Sequence, residues 1–283
     1  MKLKVIFLLS LTLLFLACSE QTKKTTYVNP FIGTGAHGHT FPGATTPSGM
    51  VQLSPDTRVG NWDACSGYHY SDSGILGFSH THLSGTGSID LGDLLIRPTL
   101  RSLSSIIDDG KITTTSFKHS NEVATPGYYK VLLDKESITC ELTATRRTGI
   151  HRYSFPDGAR SHIILDLSHE LYNETAELHI QSITDNEISG YRFSKGWVEN
   201  QRFFFVARFS QPWESINVLS NGKSMDPVLP YSSDDIRIEL SWHELINQQI
   251  EINVGISAVS IDGALKNLES EAPVFDFDAY KKK

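Results

Sequence analysis

Alternating apolar and polar residues run through the chain from about residue 112 to residue 258. In an extended chain every second side chain lies on one face, so this alternation predicts half-buried β-strands. The runs follow one another after roughly 8–15 residues, with Gly, Pro, Asn or Asp between them. We predict nine strands, at 128–134, 137–145, 151–155, 161–167, 177–184, 187–194, 202–209, 236–242 and 252–258. The fold class is therefore all-β, a large sandwich of two antiparallel sheets.

Helices are predicted to be few. The best candidate is the segment 262–269, with Asp262 as its N-cap and with Leu265 and Leu268 on one side. Asp185 and Asn186 separate two strand patterns and predict the tight turn of a hairpin.

Hydrophobic residues make up 39% of the 283 residues, which is enough for a packed core. The net charge of −7 argues against a nucleic-acid partner, because phosphate binding needs a basic face.

The N-terminus has the pattern of an export signal. Lys2 and Lys4 precede an apolar run at 5–17, which is shorter than the roughly 20 residues of a membrane-spanning helix. The run ends at Leu16-Ala17-Cys18, which resembles the bacterial lipobox. We therefore predict a lipoprotein signal peptide at 1–17, acylation of Cys18 and a polar tether at 18–26. The protein would then be exported and held at the membrane of the cell envelope; the alternative is an ordinary signal peptide with an incidental cysteine.

Two further cysteines, Cys65 and Cys140, follow the signal segment. Cys140 lies in an alternating run, which favours a buried free thiol packed as a small hydrophobic group. An oxidising compartment would also permit a disulfide between the two residues, and the sequence leaves that alternative open.

The segment 27–98 is rich in glycine, with 12 of the 21 Gly and five of the 11 His. We predict ordered loops joined by short strands, the kind of segment in which binding groups concentrate. The segment carries three aromatic residues and three polar residues close together, namely Trp62, Tyr68, Tyr70, Asp63, Ser66 and His69. Aromatic planes with convergent polar groups suit a carbohydrate site. The alternative is that the aromatic residues belong to the core.

Two pairs of histidines, His37 with His39 and His80 with His82, are spaced two residues apart. Residues at this spacing share a face in extended chain, so each pair could present two imidazoles to a zinc ion. No Cys or carboxylate stands at a familiar ligand spacing, which favours hydrogen-bonding histidines instead.

Hydrolytic chemistry has weaker support in the sequence. Asp90 and Asp93 could form the carboxyl pair of a glycosidase, but no pattern places them in one pocket. Ser66 and Ser84 each precede a glycine, yet neither lies in the G-x-S-x-G motif of a nucleophilic serine.

The front segments together resemble the N-terminal domain of glycoside hydrolase family 92, a family of exo-acting α-mannosidases found in many gut Bacteroidetes. The resemblance rests on five motifs in the family's order: VNPFIGTGAHGHTFPGAT, GMVQLSPDT, NWDACSGYHYSDS, GFSHTHLSGTG and DLGDLLIRPT. Further similar segments are ATPGYYKVLLD, ELTATRRTGIHRYSFP and VGISAVSIDGALKNLE. The resemblance covers residues 27–278, nearly all of the chain after the signal segment.

The resemblance implies a β-sandwich of the galactose-mutarotase-like type at 27–270, followed at 271–283 by the start of a linker. In the family an (α/α)6-barrel domain follows, and it carries the catalytic acid, the base and most ligands of an essential Ca²⁺. We therefore expect no catalytic residue, no metal ligand and no cofactor in this chain. The expected partners are that barrel domain, a mannose-containing glycan and, through the lipid, a membrane.

The resemblance also implies that the glycine-rich and tryptophan-bearing loops contact sugar. The candidate substrate-binding residues are Gly33, Thr34, Gly35, His37, His39, Trp62, Asp63, Ser66 and Tyr68. The motifs do not separate residues that contact sugar from residues that form the domain interface. Two other functions stay open, a stand-alone mannoside-binding lipoprotein of the lectin type and a fragment whose only property is its interface. The sequence also leaves open whether this chain alone is an enzyme.

Overall fold

The computed structural model describes residues 24–226 and 228–282, and it confirms the all-β prediction. The strands are β1 (Ala44–Thr45), β2 (Gln52–Asp56), β3 (Gly74–Ile75), β4 (Gly77–Ser79), β5 (Leu95–Thr99), β6 (Ile107–Asp108), β7 (Lys111–Ile112), β8 (Thr115–Thr125), β9 (Tyr128–Leu133), β10 (Ile138–Ala144), β11 (Thr148–Ser154), β12 (Ser161–Asp166), β13 (Glu174–Ile183), β14 (Glu187–Lys195), β15 (Gln201–Phe209), β16 (Ser215–Ser220), β17 (Lys223–Met225), β18 (Tyr231–Ser233), β19 (Ile236–Trp242) and β20 (Gln249–Ser257). The helices are α1 (Leu103–Ile106), α2 (Ile261–Glu271) and α3 (Phe277–Lys281), with 3-10 turns at Lys24–Tyr27, Trp62–Ala64 and Ile246–Gln248.

Two large antiparallel sheets form the molecule. The eight-stranded sheet has the order β1-β2-β4-β5-β12-β19-β16-β17, and the ten-stranded sheet has the order β18-β13-β14-β15-β20-β11-β10-β9-β8-β3. A separate ribbon pairs β6 with β7. All nine predicted strands are present, and each end lies within three residues of its predicted position.

The core lies between the two sheets because the strands alternate as predicted. In β10 the side chains of Ile138, Cys140 and Leu142 are fully buried, while the residues between them are partly exposed. Cys140 and Cys65 are both buried free thiols, so the free-thiol prediction for Cys140 is confirmed. Burial raises the pKa of the Cys140 thiol well above its ordinary value, which keeps the thiol protonated and inert.

The predicted hairpin at Asp185 and Asn186 joins β13 to β14. The amide of Thr184 donates to the carbonyl of Glu187 at 2.9 Å, and Ile183 stands opposite Ile188. The turn therefore starts the pairing of β13 with β14, whose register shifts twice further along the strands.

The predicted helix is present as α2, but its N-cap was assigned to the wrong residue. Ser260 is the cap: its backbone is extended, and its side-chain oxygen accepts from the amide of Gly263 at 3.0 Å. Asp262 lies inside the first turn, where its charge still favours the positive end of the helix dipole. The predicted apolar side is confirmed by Leu268, which is fully buried.

The segment predicted as the start of a linker, 271–283, contains the helix α3. Phe277 and Tyr280 are buried against Tyr128 and Ile150, on the face of the larger sheet that points away from the main core. Asp278 on the same helix forms an ion pair with Arg152 at 2.9 Å. The chain therefore continues to pack on the sandwich after α2 ends.

The predicted signal peptide, Cys18 and most of the predicted tether lie outside the described residues. Within 24–226 and 228–282, no helix is long and apolar enough to cross a membrane.

Candidate functional site

The glycine-rich loop at 33–40 folds back on itself through main-chain contacts. The amide of Thr40 donates to the carbonyl of Gly33, and the amide of Gly38 donates to that of Gly35, each at 3.2 Å. A Cβ atom on Gly38 would lie 2.2 Å from the carbonyl oxygen of Gly33, so only glycine fits there. This close approach fixes the positions of His37 and His39 on either side of Gly38.

Trp62 stands beside this loop on a short 3-10 turn. The side chain of Asn61 caps the turn by accepting from the amide of Asp63 at 3.0 Å. The indole N–H donates to the carbonyl of Gly87 at 2.9 Å, and the ring lies 5.2 Å from that of His37 and 4.4 Å from that of His39. The Trp62 side chain is nevertheless 52% exposed. The sequence thus brings Trp62, Asp63, His37 and His39 together, as predicted for the candidate site.

His37 and Asp63 form a contact at the surface. Nδ1 of His37 lies 2.7 Å from Oδ1 of Asp63, and the two side chains are 69% and 41% exposed. An exposed pair of this kind adds little stability, so both groups can exchange partners at low cost.

Trp62 also forms one wall of an open depression of about 520 Å³. The other lining residues are Gly87, Ser88, Ile89, Tyr172, Glu174, Lys195, Gly196 and Trp197. Tyr172 and Trp197 are each 70% exposed. Three exposed aromatic rings therefore surround one depression, with a carboxylate and an ammonium group among the lining residues.

The sequence analysis missed Tyr172 and Trp197. Both lie on loops flanking the β13–β14 hairpin, more than a hundred residues after Trp62, and only the sheet pairing brings them beside it. Asp90 fastens the second loop: its carboxylate accepts from the amide of Trp197 at 2.8 Å. A Cβ atom on Gly196 would lie 2.5 Å from that carboxylate. An aromatic residue directly after a glycine at a strand end was the available local signal.

Four predicted substrate-binding residues, Thr34, His39, Ser66 and Tyr68, are buried. The hydroxyl of Ser66 donates to the carbonyl of Thr40 at 2.9 Å, and that of Thr34 donates to the carbonyl of Phe31 at 2.8 Å. These groups hold the loops in place, so sugar contact remains a prediction chiefly for His37, Trp62 and Asp63.

Tyr68 is hydrogen bonded within the core. Its hydroxyl donates to Glu122 at 3.0 Å, and burial together with the negative charge of Glu122 raises the pKa of the phenol. Of its neighbours in the motif, Tyr70 stacks on His119 with ring centroids 4.1 Å apart, while His69 is buried with Nε2 3.1 Å from the carbonyl of Ala36. The aromatic motif therefore divides between the core and the surface.

A buried polar network lies in the same glycine-rich segment. Asp56 is fully buried and accepts from Ser79 at 2.6 Å, from His82 at 2.7 Å and from His169 at 2.8 Å. Burial alone raises the pKa of Asp56, but attraction to His82 and hydrogen bonds from both histidines outweigh it and hold this pKa well below its ordinary value. The network therefore carries a permanent buried charge.

His80 and His82 belong to separate networks. Nε2 of His80 contacts Nε2 of His151 at 3.1 Å, and Nδ1 of His80 faces the carbonyl of Leu94 at 2.9 Å. Burial lowers the pKa of His80 to about 4. Among the described residues, the group that could hold a metal ion consists of His37, His39 and Asp63 and includes neither His80 nor His82.

The carboxylates of Asp90 and Asp93 both form hydrogen bonds or ion pairs with other residues of the protein. Asp93 is fully buried, with Oδ1 2.6 Å from a guanidinium nitrogen of Arg192 and Oδ2 accepting from Thr81 at 2.7 Å. Asp90 holds the Trp197 loop. This arrangement fits structural carboxylates rather than the acid and base of a glycosidase.

Solved structures with the same architecture are sugar hydrolases. A family 92 α-mannosidase from Bacteroides thetaiotaomicron, in complex with mannoimidazole, is 31% identical with a TM-score of 0.84, over 91% of this chain and 35% of that one. A family 92 inverting mannosidase from the same organism is 24% identical with a TM-score of 0.80, over 93% of this chain and 35% of that one, and supports the fold alone. The fold of this chain matches about a third of the length of these glycoside hydrolases.

The particular family follows from the sequence comparison. A model of the glycosyl hydrolase family 92 N-terminal domain matches residues 27–257, so the chain belongs to that family. A curated relative, an uncharacterized secreted glycosidase of Arthroderma benhamiae, is 25% identical over 285 residues, which cover 90% of this chain and 36% of the relative. The chain thus spans about 36% of the length of this relative and about 35% of the two mannosidases.

Proposed function

We propose that this chain is the glycan-binding N-terminal domain of a Ca²⁺-dependent, inverting exo-α-mannosidase acting on mannose-containing glycans. Its partner would be an (α/α)6-barrel domain that supplies the catalytic acid, the base and most Ca²⁺ ligands. The observation that carries the proposal is the depression lined by the exposed rings of Trp62, Tyr172 and Trp197, on a chain of family 92. The similar mannosidases support the substrate class.

The depression supplies the two kinds of contact that a sugar needs. Aromatic faces pack against the apolar C–H side of a pyranose ring, and convergent polar groups bond its hydroxyls. Here the polar groups are Glu174 and Lys195 in the lining, with Asp63 next to Trp62. The depression is open, so it would form one wall of an active site that a second domain closes.

Catalysis is assigned to the partner domain because the family resemblance implies that the acid and the base lie there. The buried carboxylates of this chain bond other groups of the protein. Asp56 bonds two histidines, Asp93 pairs with Arg192, and Glu122 accepts from two tyrosine hydroxyls. An inverting glycosidase needs one protonated and one ionised carboxyl facing the scissile bond. We therefore expect this polypeptide alone to show no mannosidase turnover with Ca²⁺ present.

Calorimetric titration of the chain with mannose and α-1,2-mannobiose tests the proposal. We expect weak binding, with Kd of about 1 mM or weaker because the depression is only one wall, and loss of that binding in Trp62→Ala. Ile246→Ala serves as the control, since Ile246 is exposed and lies outside the depression. Binding much tighter than millimolar would favour the stand-alone lectin-like module. Turnover of mannobiose by this chain, abolished in Trp62→Ala, would contradict the assignment of catalysis to the partner domain.

Localisation is part of the same proposal. The secreted relative supports export, and we propose N-terminal acylation at Cys18 as the membrane anchor. Metabolic labelling with a fatty acid should label the wild-type protein and leave Cys18→Ser unlabelled. Equal labelling of both proteins would exclude Cys18 as the acylated residue.

A further inference from the structure

We propose that His37, His39 and Asp63 form a binding site for a divalent transition-metal ion of the zinc type. One ligand atom from each residue lies within 4.8 Å of the others, and no other described residues form such a group. The site would be separate from the Ca²⁺ of the proposed mannosidase. His37 and Asp63 are also predicted sugar contacts, so metal binding and glycan binding are measured separately.

The donor set has the composition that zinc prefers. Two imidazoles and one carboxylate form the protein ligands of many zinc sites, and a water completes the tetrahedron. Ca²⁺ instead takes six to eight oxygen ligands, and this group offers a single carboxylate. The chemistry therefore distinguishes a transition metal from calcium.

The geometry lies close to what zinc requires. With zinc–ligand distances of about 2.0–2.2 Å, neighbouring ligand atoms of a tetrahedral site lie about 3.3 Å apart. Nδ1 of His37 is already 2.7 Å from Oδ1 of Asp63. Both side chains are exposed to solvent. A movement of their ligand atoms by about 1 Å, which replaces the contact between them with bonds to the metal, therefore costs little free energy.

His39 supplies an independent observation. It is only 7% exposed, and its Nε2 is buried with no hydrogen-bond partner. An unsatisfied buried nitrogen costs roughly 1–3 kcal/mol, so a positive partner for this ring would be stabilising. The backbone of His39 has a φ of +58°, and its carbonyl accepts from the amide of Gly85 at 2.6 Å. Because this strained conformation is held by the loops, the ring position is fixed before any ligand arrives.

The surroundings hold the other ligands as well. The cap on Asn61 orients the turn that carries Asp63, and the indole of Trp62 packs against both imidazoles. Since Trp62 is in contact with the cluster, its fluorescence reports on metal at this position. The arrangement leaves the fourth coordination position to water.

The test uses the full chain without a histidine tag. Calorimetry with ZnCl₂ at pH 7.5 should give one site per chain, and CoCl₂ should give the visible absorption of a tetrahedral site and quench Trp62 fluorescence. We expect His37→Ala and Asp63→Asn each to weaken binding at least tenfold. His243→Ala should leave the affinity unchanged, because His243 is an exposed histidine outside the cluster. CaCl₂ should give no comparable heat.

A further readout separates loss of the metal site from loss of folding. Thermal melting should show that His37→Ala and Asp63→Asn remain folded, since both residues are at the surface. No one-to-one binding, or equal affinity in wild type and His37→Ala, would overturn the site. Loss of sugar binding with zinc binding intact would contradict only the proposed function.

Discussion

Buried histidines link the glycine-rich segment to the ten-stranded sheet. His80, next to β4, contacts His151 of β11, and Nδ1 of His151 faces the hydroxyl of Tyr153 at 2.7 Å. Burial lowers the pKa of His80 to about 4 and that of His151 well below its ordinary value. Both rings are therefore neutral in the folded protein at neutral pH.

The pH dependence of stability follows from these two rings. In the unfolded chain His80 takes up a proton near pH 6.5, whereas in the folded chain it does so only near pH 4. The unfolded state thus binds more protons in this window, so the free energy of unfolding falls as the pH drops from about 6.5 to about 4. For one group the slope is roughly 1.4 kcal/mol per pH unit, measurable by urea unfolding at several pH values. His80→Asn retains a donor for Leu94 without a titrating ring, so its slope should be shallower; an unchanged slope would refute this assignment.

Gly67 is required by the buried Asp56. Its φ is +84°, and a Cβ atom there would lie 2.0 Å from Oδ1 of Asp56. Gly60 has a φ of +64° but no atom within 4 Å of a Cβ. We expect Gly60→Ala to cost about 1 kcal/mol from backbone strain alone, and Gly67→Ala to cost at least about 2 kcal/mol more. Equal losses in chemical unfolding would show that Asp56 moves away without penalty.

At the scale of elements, the sequence pattern located the nine strands, although β12 and β19 are buried along their whole length. The glycine-rich segment was predicted only as loops with short strands, since β1, β3 and β4 have two or three residues each and carry no readable period. The helix α2 was found, but its cap was misplaced because Ser260 and Asp262 are both good capping residues by type. Only the backbone conformation of Ser260 separates them.

Capping of α2 can be tested with a matched pair of variants. Ser260→Ala removes the acceptor for the amide of Gly263 and should cost about 1 kcal/mol of stability. Asp262→Ala removes only a charge near the helix N-terminus and should cost about 0.3 kcal/mol. Thermal unfolding of the two variants gives the ranking; a larger loss in Asp262→Ala would restore the original prediction.

The helix α3 lies in the segment that the family resemblance assigns to the start of a linker. Phe277 and Tyr280 are one turn apart and share a buried face. The guanidinium of Arg152 lies 4.3 Å from the ring of Phe277. Phe277→Ala should destabilise the protein by about 3–5 kcal/mol, or release α3 locally. Hydrogen exchange at β10 and β11 distinguishes these cases, with the exposed Val274→Ala as control; no change in either measurement would mean that α3 does not pack there.

At the scale of the whole molecule, buried ion pairs join the two sheets. Asp93 precedes β5 of the eight-stranded sheet, whereas Arg192 lies on β14 of the ten-stranded sheet, and both are almost fully buried. Arg97 of β5 contacts Glu136, in the turn after β9, at 3.5 Å. Hydrophobic patterning predicted that two sheets pack together. It did not predict which charged residues form ion pairs between the two sheets.

Arg192→Met leaves Asp93 buried without its partner and should cost about 3–5 kcal/mol. Arg208 and Glu187 provide the comparison, since they pair at 2.7 Å between neighbouring strands of one sheet and are partly exposed. Arg208→Met should therefore cost about 1 kcal/mol or less. Urea unfolding measures both losses. Similar losses of unfolding free energy in the two variants would show that the ion pair between the sheets stabilises the protein no more than a pair within one sheet.

The candidate site was predictable only in part, because some of its residues are far apart in the sequence and meet only in the fold. The motifs around Trp62 and His37 lie in one glycine-rich segment, so the sequence placed them together. Tyr172 and Trp197 reach the depression through the pairing of β13 with β14 and through Asp90. The turn between the two strands has a local signal, but the position of these two residues beside Trp62 has none. Motif resemblance also included Ser66 and Tyr68, which are buried, because a shared motif does not distinguish exposed residues from those that hold a loop.

The hydrogen bond from the indole of Trp62 to Gly87 has a consequence for selectivity. With its single polar group already occupied, Trp62 offers a bound sugar only an apolar plane, which does not distinguish axial from equatorial hydroxyls. Under the proposed function, discrimination between mannose and its epimers falls to Asp63, Glu174 and Lys195 and to groups of the proposed barrel domain. Trp62 would determine how tightly a sugar ring binds. Its charged neighbours would determine which stereoisomer of the sugar is accepted.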